Sequence, residues 1–191
     1  MDTEITRIFK AKKDIREFDY FYKKYFPRIN NFVFHRVYDE DVKNEIVSNV
    51  FFKAMKKLNK FRIFDVNNVT FSSWLYRIAV NEINQYFRNN KRSQKIENMC
   101  KHNYLKSSEK EDIKSISFET VKDHMLNLPV DDQNLITLRY FEKLSYQELA
   151  EIFKKSEGAL KVKLHRALNK LRDLLNKELI HEKSGKFITQ Y

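Results

Sequence analysis

The 191-residue chain is short of the residues on which most sheet-rich folds depend: it holds 2 glycines, 2 prolines and 1 cysteine. Ordinary usage would supply roughly 7% glycine and 5% proline. Hairpin turns with positive φ draw on glycine, so an all-β or Rossmann-type architecture is close to excluded, and glycine-rich phosphate loops go with it. The lone Cys100 rules out a disulfide framework and a cysteine-rich zinc site and fits a reducing compartment. The opening MDTEITRIFKAKKD lacks the apolar core of a signal peptide, and no run approaches the roughly 18 apolar residues of a membrane span. A cytoplasmic protein without membrane insertion is expected. His35, His102, His124, His165 and His181 show no metal-ligand spacing, and neither HExxH nor GxSxG occurs. No metal, cofactor or catalytic residue is expected, and the chain does not read as an enzyme.

What is abundant is charge and aromatic mass. Lys and Arg number 37 against 26 Asp and Glu, a net +11, while 42% of residues are hydrophobic and 16 are Phe. That is enough apolar material for packed cores, and the basic excess suggests a polyanionic partner.

Apolar residues recur at helical spacing. Phe18, Phe21, Tyr22, Tyr25, Ile29, Phe32, Val33 and Val37 follow gaps of three and four, with Pro27 expected to kink the run or divide it into two helices. Asp39-Glu40-Asp41 reads as a helix start. The helix after it carries Ile46, Val47, Val50, Phe51, Ala54 and Leu58 on one face and Asn44, Glu45, Ser48, Asn49 and Lys53 on the other. Residues 65–70 (DVNNVT) read as a loop, with Thr70 as N-cap of a helix running from Phe71 to about Arg92. Beyond it the periodicity fades into a polar stretch, partly helical at most.

A second helical unit begins near Phe118. Pro129 precedes one helix, and Ser145-Tyr146-Gln147-Glu148 forms a capping box for the next. Ser156 caps a last long helix with Leu160, Leu164, Leu168, Leu171 and Leu175 as its inner stripe, ending about Leu175. The expected fold class is all-α: two small helical domains, residues 1–95 and 117–180, joined by a flexible polar linker over 96–116 and followed by a tail, 181–191.

A short capped helix, a turn of about three residues and a longer helix make a helix-turn-helix, whose second helix enters the major groove. Between Lys154 and Arg172 lie seven Lys and Arg residues and a single acid, Glu157, placed in strips flanking the leucine stripe. Such a unit also suits a stand-alone, dimeric DNA-binding regulator, which remains the alternative at this point.

The runs Leu138-Arg139-Tyr140-Phe141, Leu144-Ser145-Tyr146-Gln147-Glu148-Leu149-Ala150, and Lys161 with Leu164-His165-Arg166-Ala167 resemble the −35-binding domain of bacterial RNA polymerase sigma factors. FDYFYKKYFPRINNFVFHRV, VKNEIVSNVFFKAMKKLNKF and FSSWLYRIAVNEINQYFRNNKR resemble the same family's helices for core polymerase and the −10 element. The short linker, with no intermediate domain, is similar to the small extracytoplasmic-function (ECF) group.

The resemblance implies a sigma factor that docks on core RNA polymerase, reads promoter DNA and answers to an anti-sigma factor. It implies core contacts at Glu45, Ser48 and Asn49, where members often carry Gln-Glu in place of Ser48-Asn49. It implies capture of an unstacked −10 base by Asn67 and Asn68, and strand contacts along Arg77, Asn81, Gln85, Arg88, Lys91 and Arg92, with Asp common where Gln85 stands. It implies −35 contacts from Ser156, Gly158, Lys161, Lys163, His165 and Arg166. A glycine is usual in the turn where this chain has Lys154. Tyr76, Tyr86 and Phe87 are expected to offer stacking surfaces to single-stranded bases, and Trp74 is expected in the core.

Overall fold

The computed structural model describes residues 3–61, 70–100 and 118–186, with side chains described for 3–61, 70–90 and 120–177. The secondary structure within these residues is entirely helical. Thr3 caps α1 (Glu4–Lys13) by accepting from the Thr6 N–H. A 3-10 turn, Ile15–Phe18, leads into α2 (Asp19–Val37). Glu4 ties α1 to α2, accepting from Tyr25 Oη at 2.7 Å and Lys24 Nζ at 2.8 Å.

Of the two outcomes expected at Pro27, a kink or a division into two helices, the division does not occur: α2 runs through it as one helix. Pro27 lies on the exposed face, where water can serve the carbonyl its missing N–H leaves free. Phe21, Tyr25, Ile29, Phe32 and Val33 are buried on the other face. Burial of such side chains contributes roughly 1.5–3 kcal/mol each, which together exceeds the ~3 kcal/mol penalty of an interior proline.

Asp39 then caps α3 (Glu40–Lys57), accepting from the Val42 N–H at 2.9 Å, as its acidic start implies. Ile46, Val47, Val50, Phe51, Ala54 and Leu58 are all buried. Thr70 accepts from the Ser73 N–H at 3.1 Å at the start of α4 (Phe71–Cys100). The helix therefore passes Arg92 and enters the stretch read as linker, while residues 101–117 lie outside the described residues. α2, α3 and α4 pack on one another around Phe71, whose ring is 4.3 Å from Phe21 and 5.4 Å from Trp74. Trp74 is half-buried at the edge of this core.

The second bundle contains α5 (Phe118–Leu126), α6 (Val130–Tyr140), α7 (Tyr146–Phe153) and α8 (Glu157–Lys186). Ser145 and Glu148 close the capping box, with Glu148 N–H to Ser145 Oγ at 3.2 Å and Ser145 N–H to Glu148 Oε2 at 2.8 Å. Leu160, Leu164, Ala167 and Leu171 of α8 are buried against α5, α6 and α7. α8 continues past Leu175 into the stretch read as tail, and residues 187–191 lie outside the described residues. The two helical domains also touch: α4 packs on α7 and α6, and α2 packs on α6.

Candidate nucleic-acid interface

The turn between α7 and α8 brings the −35 candidates together. Lys154 closes α7 in the left-handed region, φ 52 and ψ 48, with its N–H on the Ala150 carbonyl. This is the conformation that a glycine would adopt without strain. Ser156 then accepts from the Ala159 N–H at 3.2 Å and starts α8. Ser156, Gly158, Lys161, His165 and Arg166 are all exposed, on the face opposite the buried leucines. A Cβ built on Gly158 would meet nothing within 4 Å, so the chain itself does not require a glycine there.

Lys163 is set apart from this group. It is half-buried, with Nζ 3.4 Å from Asp132 Oδ1 and 3.9 Å from Asp131 Oδ2 on α6, and Lys170 Nζ lies 3.9 Å from Asp132 Oδ2. These acids neutralise the inner edge of α8 and leave positive charge concentrated on its outer face. Tyr146, to which the sequence assigned no contact, has two cations over its ring: Arg139 Cζ is 4.8 Å and Lys161 Nζ 5.2 Å from the centroid. Its sequence signals were an aromatic inside the capping box and a place in the run Leu144–Ala150 that resembles the −35-binding domain.

On α4, residues 77, 81, 85 and 88 follow gaps of four, four and three and share one face. Asn81, Gln85 and Arg88 are exposed; Gln85 Nε2 donates to Asn89 Oδ1 at 2.9 Å, and Arg88 donates to Gln85. Arg77 differs, being half-buried, donating to the Glu151 carbonyl of α7 and lying 3.8 Å from the Glu151 carboxylate. Side chains of Lys91 and Arg92, and all of Asn67 and Asn68, lie outside the described residues. Tyr76 corrects an expectation: it is fully buried and donates to Glu142, so it offers no face to a base. Burial and the hydrogen bond to that carboxylate push its phenol well above the usual range. Tyr86 and Phe87 are half-buried, with ring centroids 5.2 Å apart.

On α3, Glu45 and Ser48 are exposed and Asn49 is half-buried. Beside Ser48 runs a groove of about 490 Å³ floored by Val47 and Phe51 and edged by Tyr22, Phe52 and Met55. Tyr22, Phe52 and Met55 are exposed apolar side chains. The sequence carried a signal for this groove, since Phe52 and Met55 fall off the buried stripe.

Among the described residues no cluster of three or more His, Cys, Asp or Glu side chains could hold a metal ion, and no helix is long and apolar enough to cross a membrane. The family described as Sigma-70 region 2 matches residues 21–93, and that described as Sigma-70, region 4 matches residues 120–171. RNA polymerase sigma factor YlaC of Bacillus subtilis is 28% identical over 167 residues, covering 85% of this chain and 94% of that protein. The ECF RNA polymerase sigma-E factor of Haemophilus influenzae is 31% identical over 146 residues, 69% of this chain and 75% of that one. Among solved structures, the sigma factor RpoE in complex with the anti-sigma factor NepR from Bartonella quintana gives a TM-score of 0.64 at 21% identity, covering 84% of this chain and 98% of that chain. CnrH in complex with the cytosolic domain of CnrY gives 0.65 at 19% identity, covering 90% and 96%. At these identities the structural likeness speaks for the fold.

Proposed function

The chain belongs to the extracytoplasmic-function group of RNA polymerase sigma factors, and from that premise we propose how its two domains divide promoter recognition. Its role is polymerase-directed transcription initiation. Residues 117–180 take the −35 duplex, with α8 in the major groove and Ser156, Gly158, Lys161, His165 and Arg166 toward the DNA. Lys163 chiefly seats α8 on the acids of α6. Residues 1–95 take core polymerase on Glu45, Ser48 and Asn49, and the −10 non-template strand along Asn81, Gln85, Arg88, Lys91 and Arg92, with Arg77 joining once released from α7. Asn67 and Asn68 are offered to a flipped base. Unstacking costs a few kcal/mol per nucleotide, which contacts to the extruded bases offset without side-chain chemistry. The working compartment is the cytoplasm, and an anti-sigma factor is the expected regulator.

The observation that carries this reading is the exposed Lys161–His165–Arg166 face on a helix whose other side is buried. Lys and Arg there suit phosphates and guanine edges. A stand-alone regulator would leave the match over residues 21–93 without a use. The test is reconstitution with bacterial core RNA polymerase on a linear template library. Defined start sites preceded by two shared elements are expected, and folded protein that directs none would overturn the assignment.

A further inference from the structure

The outer face of α8 is basic at its edges and apolar at its centre. Leu160, Leu164, Ala167 and Leu171 form the buried side, and at about 100° per residue position 162 lies roughly 170° from the middle of that stripe. The residue there is Val162, which is 52% exposed. The other large apolar side chains described on α8 are buried or half-buried, so this one stands apart from them. Gly158 precedes it by one turn on the same side, and open space surrounds that position.

Polar groups flank the valine. By helical spacing Lys161 and His165 fall to one side of it and Arg166 to the other, all three exposed. Lys161 Nζ is 5.2 Å from the Tyr146 ring centroid on α7. His165 Nδ1 is 3.3 Å from Asn169 Nδ2 a turn further on, and Asn169 Oδ1 accepts from Arg172 at 2.6 Å. Lys161 and His165 are thus each engaged with a partner other than the valine.

Valine is a poor choice for an exposed helix position, because its β-branch loses side-chain freedom there and no burial offsets the loss. It carries no charge and makes no hydrogen bond, so it can neither hold a phosphate nor address the polar edges of guanine, adenine or cytosine. In the major groove one base presents an apolar group, the C5-methyl of thymine. Position 162 is in the second turn of α8, near the N-terminal end, which in a helix of this arrangement reaches base edges. The missing side chain at Gly158 allows a close approach, which a side chain as short as valine needs.

We propose that Val162 is a specificity-determining residue, packing on the 5-methyl group of one thymine in the −35 element while the cations around it anchor the helix. The inference rests on the seating of α8 in the −35 duplex proposed above and deepens it by naming a base and a group on that base. The basic rim supplies attraction to any duplex, and the valine supplies a preference at one position.

The test uses the holoenzyme formed with bacterial core RNA polymerase. Start sites on a linear template library define the −35 element. Each thymine in it, on either strand, is then replaced in turn by deoxyuridine, which lacks only the 5-methyl group, and affinity is measured by competition. The wild type is expected to lose roughly three- to ten-fold at one position, as removal of one buried methyl group implies. Val162→Ala should remove that loss, giving thymine and uracil templates nearly equal affinity there, while Val162→Ile should retain it. Alanine is the better helix former, so Val162→Ala should melt no lower than the wild type. A merely structural valine would change affinity for both templates alike and leave their ratio unmoved. The absence of any thymine whose methyl matters, or a sensitive thymine whose ratio Val162→Ala leaves unchanged, would overturn the proposal with the sigma-factor reading intact. A folded protein that directs no start site with core polymerase would overturn that reading, and this inference with it.

Discussion

Replacing Lys154 by glycine isolates the strain stored in the turn before α8. Lys154 sits at φ 52, ψ 48 with its side chain exposed, so no packing or hydrogen bond of that side chain is lost. Holding a residue with a Cβ in the left-handed region costs roughly 1–2 kcal/mol. Glycine removes that strain, but its freer unfolded chain takes back roughly 0.5–1 kcal/mol. A net gain of up to about 1.5 kcal/mol follows, which in a chain of this size raises the melting temperature by up to about 6 °C. Lys154→Ala is the control, because it discards the charge and stem but keeps the Cβ, so it should melt within about a degree of the wild type. Far-UV circular dichroism of the three full-length proteins, heated in parallel, is the assay. Trp74, the chain's single tryptophan, reports the first domain separately by fluorescence. A glycine variant that melts below both others would refute the strain argument and mean that the lysine side chain makes a stabilising contact.

Four further outcomes are expected. Lys161→Ala and Arg166→Ala should each weaken duplex binding by the holoenzyme and flatten the slope of log affinity against log salt by about 0.9, whereas Lys163→Ala, whose charge Asp132 already engages, should change the slope least; salt titrations decide. Gly158→Ala should stabilise α8 by roughly 0.5–1 kcal/mol, since open space surrounds the position, yet weaken DNA binding if the backbone of the duplex approaches it. Met55→Glu, which puts a charge on the rim of the α3 groove, should weaken capture by core polymerase in a pull-down and leave thermal stability within about 0.5 kcal/mol. Acidification should loosen the domain contact: burial lowers the pKa of His35, whose ring packs 4.6 Å from Phe141. The open or unfolded chain therefore binds a proton more readily, and stability falls as pH drops through the ordinary histidine value of about 6.5. Nearby Glu142 opposes the shift. His35→Phe should abolish that part of the pH dependence, read from melting temperatures between about pH 7.5 and 5.5.

The local features were legible because each has a short-range physical cause. Ser145 and Glu148 satisfy each other's backbone donors within four residues, and the leucines of α8 sit at helical spacing on a single buried side. The left-handed Lys154 could be expected from the glycine usual in that turn. Elsewhere a longer-range effect adds to or overrides the local one. Pro27 marks a break by its own chemistry, but the aromatic face on both sides of it holds α2 together. α4 was expected to run to about Arg92 before a stretch that is only partly helical; it continues to Cys100, and no proline or glycine between those residues breaks it. Lys163 looked like one more cation in a basic helix, and only the fold shows the two aspartates of α6 that engage it.

Tyr76 shows why the arrangement of the domains was beyond the sequence. Periodicity assigns a helix one buried stripe, and Tyr76 falls off the stripe that faces α3. Yet α4 is covered on a second side by α6 and α7, and there the residue beneath the cover is a tyrosine donating to an acid 66 positions away. The α6 residues that bond across this contact include Gln133 and Asn134, which are buried but carry the polarity of a solvated helix face. Hydrophobic patterning can find only surfaces that are apolar, so a contact built from amides, a guanidinium and a carboxylate gives it no signal.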